Sequence, residues 1–528
     1  AGFSGIFESS TLEMMNHYQD HRGLDDSGIW QDANHGIGLA HRRLSILDLT
    51  PLGCQPMWDA SKEIVIVFNG EIYNYRELKK KLIDNGYKFK NNTDTEVLLN
   101  LYLHYREAML SQLNGIFAFA IWDTRTQSLF LARDGIGVKP LYYTNTSKGF
   151  LFASEIKALL QEESVERSLN IEAIYHHLTY LWCPAPQTIL NNIKKLEPGH
   201  ALIVKDGKIK KHWRFYDLPY HQNIDALSEE EAIEQVRIQL KESVQRQMVA
   251  DVPVGAFLSG GLDSSSVVAF AKQYASEQKL QCFTIGFKNP DSSSEGFAED
   301  LPYAQKVANY LDVDLHTIYV GSEMADQLEK MLYHLDEPQA DPAPLNALFI
   351  SQLARQNGIK VLLSGAGGDD IFTGYRRHYA LMQEQYWSWL PRLARRQLGN
   401  ITQSLSTESA LGRRISKAFR YAALDGDERL VSYFYWLDPE SQKNLYNSNL
   451  REKIAKISAN APLIQSLSNL PNSVHPLNRM LYLEGKHFLA DHNLNYTDKM
   501  SMATGVEVRV PLLDPDLVAL AARLPIQY

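Results

Sequence analysis

Ser259-Gly260-Gly261-Leu262-Asp263-Ser264-Ser265 follows an apolar run (Val252, Val254, Ala256, Phe257, Leu258) and precedes Val267, Val268, Phe270, Ala271 and Tyr274. That order reads as a strand, a tight glycine turn and the N-terminus of a helix. The glycines let backbone N–H groups close around an anion, and the helix start adds about half a positive charge. Hydroxyls of Ser259, Ser264 and Ser265 add donors, and Asp263 is a natural ligand for a magnesium ion bridging phosphate oxygens. The lysine of a GxxxxGK[ST] loop is missing. The turn therefore suits a pyrophosphate held as a leaving group better than a transferred terminal phosphoryl.

Around this turn the pattern is strand–helix–strand. Strands are expected at 255–258, 282–287, 315–320 and 360–364, alternating with helices near 264–276, 302–311, 323–335 and 345–357. This predicts an α/β, doubly wound parallel sheet with its ligand at the carboxyl ends of the strands. A second glycine-rich loop, Ser364-Gly365-Ala366-Gly367-Gly368-Asp369-Asp370, ends another of these strands. Two such loops on one rim predict a single nucleotide site, with Asp263 and Asp369 as magnesium ligands. From about residue 376 onward the pattern is helical.

The first 205 residues have a different grammar. Ile64 to Phe68 is an apolar strand ending at Asn69-Gly70, which on its own reads as a hairpin turn. Residues 117–122 and 129–132 read as a hairpin, with helices at 75–85 and 94–105. Strands with helices gathered apart from them predict a layered α+β domain. The expected division is 1–205, a polar linker at 206–228, and 229–528. Ser228 with Glu231 forms a capping box, opening a helix with Ile233, Val236, Leu240, Val244 and Met248 on one face.

The chain has 528 residues, 45% hydrophobic, with a net charge of −9. That balance argues against nucleic acid as a partner. No apolar stretch reaches the roughly 18 residues of a membrane span. Cys54, Cys183 and Cys282 are scattered and form no zinc or disulfide pattern. With no signal-peptide pattern at the start, the expected compartment is the cytoplasm.

Eight motifs in order resemble the glutamine-dependent asparagine synthetases over essentially the whole chain. In the first half they are His21-Arg22-Gly23, Ala40-His41-Arg42-Arg43-Leu44-Ser45-Ile46, Asn69-Gly70-Glu71-Ile72-Tyr73-Asn74, and Arg133-Asp134 with Lys139-Pro140-Leu141-Tyr142. In the second they are the two glycine loops, Asp498-Lys499-Met500-Ser501-Met502-Ala503, and Glu507-Val508-Arg509-Val510-Pro511-Leu512-Leu513-Asp514. The resemblance implies an N-terminal-nucleophile glutaminase of layered αββα form, joined to an ATP-pyrophosphatase-type synthetase. The second half would adenylate a carboxylate with ATP and magnesium, and ammonia would displace AMP. It also implies that relatives often dimerise and usually continue beyond Leu524-Pro525.

By the same resemblance, position 1 is that of a nucleophilic cysteine, whose α-amino group serves as base. Here it is Ala1, and a methyl group cannot attack an amide. Either a substitution introduced to trap glutamine or a natural loss of glutaminase activity accounts for it. The resemblance further assigns glutamine binding to Arg43, Leu44, Ser45, Ile46, Leu47, Asn69, Gly70, Glu71 and Asp94. Arg43 would hold the substrate carboxylate, Glu71 and Asp94 the ammonium, and Asn69 with Gly70 the oxyanion. Leu24 stands where the family usually has proline.

In the second half the resemblance places Leu258 and Ile285 around adenine, with Ser259, Gly260, Gly261, Asp263, Ser264, Ser265, Ser364 and Gly365 along the ATP. Lys499 would neutralise charge at phosphorus during adenylation. Ala366 stands where asparagine synthetases carry an acid, which leaves Asp370, Tyr375 or Glu408 as candidates to replace it. Residues 376–420 are rich in arginine (Arg376, Arg377, Arg392, Arg395, Arg396, Arg413, Arg414, Arg420), either a solvated face or a receiver for an anionic acceptor. The default acceptor is aspartate. The alternatives are another carboxylate, such as a sugar uronic acid of surface polysaccharide or an intramolecular amide as in β-lactam synthetases, and a catalytically silent regulatory relative.

Overall fold

The computed structural model describes residues 1–222, 224–275, 279–288, 300–403 and 410–528. The first half holds two six-stranded antiparallel sheets packed face to face. One runs Ile193–Lys195, Tyr142–Thr146, Gly149–Ala153, Gly2–Gly5, Ile37–Arg43, Asp26–Asp32. The other runs Lys208–Arg214, His200–Lys205, Ser128–Arg133, Gly115–Asp123, Ile64–Ile72, Met57–Trp58.

The long apolar strand Ile64–Ile72 shows why the layers form. Val65 and Val67 point into the core between the sheets, with Leu39, Ala120, Leu131 and Phe152. Ile64, Ile66 and Phe68 point the other way, onto Leu78 and Leu82 of helix Tyr75–Asp84 and Val97 to Leu99 of helix Asp94–Tyr105. A strand buried on both faces carries no polar alternation. On the far side, helix Ser9–His17 covers the first sheet through Leu12 and Met15. The order is helix, sheet, sheet, helix, as the resemblance implies.

Two expectations are corrected here. Asn69-Gly70 is not a turn, because the strand continues through it, pairing Asn69 with Ala118 and Gly70 with Phe117. Residues 206–214 are not linker, because Lys208–Arg214 is the edge strand of the second sheet, hydrogen-bonded to His200–Lys205. Its lysines disguise it, being the charges that keep an exposed edge from pairing with other chains.

The second half is a five-stranded parallel sheet in the order Asp314–Val320, Gln281–Phe287, Val254–Phe257, Val361–Leu363, Glu507–Arg509. The strand order reverses between Val254–Phe257 and Val361–Leu363, so both glycine loops leave the sheet at its switch point. The fifth strand, missing from the expectation, is only three residues long and lies inside a region read as helical. The Ser228–Glu231 capping box forms as expected, opening helix Glu229–Gln247. Its buried face is Ala232, Leu240, Ser243, Val244 and Gln247, while Ile233 is exposed rather than packed.

The halves share one apolar core, in which Tyr73, Ile116, Val138, Tyr180 and Trp182 pack with Leu481, Leu489, Leu494 and Val510. Beside it runs a chain of buried ion pairs. Arg22 lies 3.2 Å from Glu155 and 2.7 Å from Asp498. Lys139 lies 3.3 Å from Asp498 and 3.4 Å from Glu507. Lys157 reaches Asp336 at 2.9 Å, and Asp336 meets Lys499 at 2.7 Å.

Candidate active sites

A cavity of about 120 Å³ opens between the two antiparallel sheets. Ala1, Arg43, Leu44, Ile46, Leu47, Asn69, Gly70, Glu71 and Asp94 all line it. Of the expected residues Ser45 does not, since its N–H is turned onto Asp25 at 2.7 Å. Gly70 sits at φ +142°, where an added Cβ would meet the Ile116 carbonyl oxygen at 1.9 Å, so no other residue fits. Arg43 is fixed by the loop it crosses, with Nη1 donating to Thr50 O at 2.9 Å and Nη2 to Leu47 O at 3.3 Å.

Glu71 and Asp94 are both buried. Burial pushes the Asp94 carboxyl up to about 7, against a hydrogen bond from the Ile72 N–H at 2.9 Å. Burial and then Asp94 push Glu71 well above the carboxylate range. Two such groups favour a cation between them, because a positive charge there restores both to their ionised form. The Ala1 amine donates to Ala40 O at 3.0 Å and is pushed down to about 5 by burial, then by Arg22. At neutral pH it is therefore an unprotonated amine.

The lining includes residues of the quoted motifs that carried no assigned role. His41 donates from Nε2 to Phe68 O at 3.0 Å, and burial followed by the Ala1 amine holds it neutral, at about 3. Met502 and Glu507, from the other half, also line the cavity. No local signal could reveal them, since they lie some 430 residues from the strand they face.

The two glycine loops meet in the second half. An added Cβ at Gly368 would lie 2.3 Å from the Asp263 carboxylate, and one at Gly365 would lie 2.6 Å from Ser264 N. Only glycine permits this approach. Ser259 Oγ and Ser264 Oγ are 3.0 Å apart, and the Gly261 N–H donates to Ser259 Oγ at 3.3 Å. Gly260, at φ +81°, turns the chain against Tyr303 and Ala304. Helix Leu262–Ala271 starts after Gly261 with no side-chain cap, whereas the start of the short helix Gly368–Phe372 is closed internally, the Gly368 N–H donating to Gly365 O at 3.4 Å and the Asp370 N–H to Gly367 O at 3.1 Å. Ser265 Oγ is buried with no partner among the described residues. Leu258 is buried and Ile285 half-buried at the ends of neighbouring strands, and the Ser364 N–H donates to Arg509 O at 2.8 Å.

Asp263 and Asp369 are placed together. Burial and then the Asp369 charge push Asp263 up to about 6. Adjacent carboxylates beside N–H groups for phosphate fit a hard divalent cation shared with a nucleotide. Another cluster, Glu197, His200 and His212, lies on an edge hairpin, where Glu197 is already 3.6 Å from His212.

Next to Asp369, Asp370 Oδ2 accepts from the Tyr375 hydroxyl at 3.2 Å, while Oδ1 is buried without a partner among the described residues. Burial and then Glu484 push the Asp370 carboxyl well up. Arg377 lies 4.5 Å from the ring centres of Tyr375 and Phe488 and 5.0 Å from that of Phe434. It is paired with buried Glu484.

Lys499 stands elsewhere. Fully buried, its ammonium is 2.7 Å from Asp336 and 2.9 Å from the Leu335 carbonyl, over the Tyr142 ring. The structure joins it to the domain interface rather than to the glycine loops. Arg395 is likewise an internal clamp on Ala422 O, Leu424 O and Asp425, not part of a solvated face. Glu408 lies outside the described residues.

A family model described as a glutamine amidotransferase domain matches residues 2–216, and one described as asparagine synthase matches 235–528. The chain is 32% identical to asparagine synthetase [glutamine-hydrolyzing] 1 of Bacillus subtilis, over 99% of this chain and 81% of that protein. It is 31% identical to a putative asparagine synthetase [glutamine-hydrolyzing] of Mycobacterium tuberculosis, over 99% of this chain and 80% of that one. It is also 30% identical to amidase chry2 of Gibberella zeae, over 96% and 77%. The chain therefore belongs to the glutamine-hydrolysing asparagine synthetase family, a family of glutamine-dependent carbon–nitrogen ligases.

Proposed function

We propose that the chain activates an acceptor carboxylate with ATP and amidates it with ammonia, taking aspartate as the default acceptor. The observation that carries this is the meeting of the two glycine loops and two carboxylates, Asp263 and Asp369, at the switch point of the sheet. In this reading Leu258 and Ile285 flank adenine, and Gly260, Gly261, Ser264 and Ser265 hold the pyrophosphate. Asp263 and Asp369 would hold magnesium, which supplies charge neutralisation on the phosphates. An acceptor oxygen bonds to the α-phosphorus, the bond to the β-phosphate oxygen breaks, and pyrophosphate leaves with that electron pair. Ammonia then attacks the acyl carbon and AMP departs.

The proton that ammonia sheds goes to Asp370 in its ionised form, which the Tyr375 hydroxyl holds in place. This assigns Asp370 the work of the acid absent at Ala366. Ammonia would arrive from the first cavity past Met502 and Glu507. With Ala1 the chain binds glutamine without hydrolysing it, and Ala1→Cys is expected to supply the missing nucleophile. Free Cys54, Cys183 and Cys282 suit a reducing cytoplasm. Among the described residues no helix is long and apolar enough to cross a membrane.

A second acceptor class has support of its own. Desolvation and then the Arg377 and Arg420 charges push the Lys417 ammonium down, so three cations are grouped there, of which Arg377 lies over the Tyr375 ring. That grouping suits an acceptor with a further negative charge, such as a nucleotide-linked uronic acid. The test supplies ammonium directly and compares pyrophosphate release with aspartate and with a uronic-acid panel. Release with aspartate, forming asparagine, supports the default. Release only with a sugar acid supports the second reading, and no acceptor-dependent release refutes both.

A further inference from the structure

We propose that Arg509 is a positioning residue that couples glutamine occupancy to the nucleotide loop, so that glutamine and ATP bind with positive cooperativity. The inference rests on the reading of the two sites given above. Arg509 is fully buried on the edge strand Glu507–Arg509. Its Nη1 donates to Gln247 O at 2.8 Å and Val249 O at 2.7 Å, and its Nε meets Glu507 at 3.0 Å. These contacts fix the guanidinium plane. The remaining nitrogen, Nη2, is buried without a hydrogen-bond partner among the described residues and lies 3.4 Å from Glu71 Oε1. Arg509 O, in turn, accepts from the N–H of Ser364, the first residue of the second glycine loop.

One residue thus touches Glu71, which lines the glutamine cavity, with its side chain and the nucleotide loop with its backbone. The free protein leaves a buried donor unsatisfied beside a carboxyl that burial and Asp94 push toward its neutral form. An α-ammonium between Glu71 and Asp94 restores the Glu71 charge. Nη2 then gains a charge-assisted hydrogen bond, stronger than a neutral one. The strand is anchored more firmly, and with it the carbonyl that holds Ser364. Linkage requires the effect to be reciprocal.

The test measures magnesium-ATP affinity calorimetrically with and without saturating glutamine, and glutamine affinity with and without ATP. Ala1 keeps glutamine intact throughout. Each ligand is expected to tighten the other about fivefold or more, and Arg509→Lys is expected to bind both with that mutual effect lost. Should Arg509→Lys not fold, hydrogen exchange on the unmodified chain decides, with added protection expected at residues 361–368 when glutamine alone is present. If each ligand binds but neither affects the other, the coupling is refuted and the site assignments stand. If neither ligand binds, the site assignments fall and the coupling with them. Full cooperativity in a folded Arg509→Lys, or unchanged exchange at 361–368, would overturn the role of Arg509.

Discussion

Gly368 and Asp94 show how much rests on single atoms. A methyl group at Gly368 would enter the Asp263 carboxylate at 2.3 Å. Gly368→Ala must then displace the Asp263 carboxylate, and is expected to weaken magnesium-ATP binding about tenfold or more, from overpacking of about 1–3 kcal/mol. Unchanged affinity by calorimetry would show that the loops do not form one site. Asp94, pushed up to about 7 by burial, gives a pH dependence. Its folded-state carboxyl holds a proton below that value, and an incoming ammonium must displace it. Glutamine affinity is expected to rise from pH 6 to 8 with proton release, read as a dependence of binding heat on buffer ionisation; a flat profile would remove Asp94 from the site. Arg43 and Glu71 were legible because each sits in a local motif, and Asp94 only through the family resemblance. The Glu71–Arg509 contact was not, because a contact between residues 438 positions apart leaves no trace in either segment.

At the scale of elements, legibility followed the strength of local physics. Helix Glu229–Gln247 announced itself through its cap, in which Ser228 Oγ accepts from Glu231 N at 3.3 Å. Ser228→Ala is expected to cost about 0.5–2 kcal/mol in urea unfolding, and a neutral result would show that this helix start carries no stability. Ile233 shared its helical spacing yet faces solvent, because Ala232 sits one step round the helix on the packed side. Strand Glu507–Arg509 has too few residues for a period, and Lys208–Arg214 is too charged to read as a strand. Asn69-Gly70 misled for another reason. The dipeptide that favours a hairpin serves here to let two strands approach at the cavity floor.

Across the molecule, the halves are locked by ion pairs that lie away from water. Burial alone would raise the Asp498 carboxyl, but Arg22 and Lys139 hold it below its ordinary range. Removing it leaves Arg22 with Glu155 alone and Lys139 with Glu507 alone, so Asp498→Ala is expected to destabilise the chain by about 3 kcal/mol. A loss under about 1 kcal/mol would show a wetter interface than the structure describes. The sign with pH follows. Asp498 contributes stability above about pH 4, and that contribution is lost as the pH falls through its lower folded value. None of this interface could be read from the sequence, since Arg22 and Asp498 become neighbours only when the halves dock.

The most direct test of adenylation follows one oxygen atom. The acceptor is labelled with heavy oxygen in its carboxylate and incubated with magnesium-ATP and ammonium, and the nucleotide product is examined by mass spectrometry. The account expects one labelled oxygen in AMP, with pyrophosphate released in equal amount. Label in inorganic phosphate, with ADP as the nucleotide product, would contradict it.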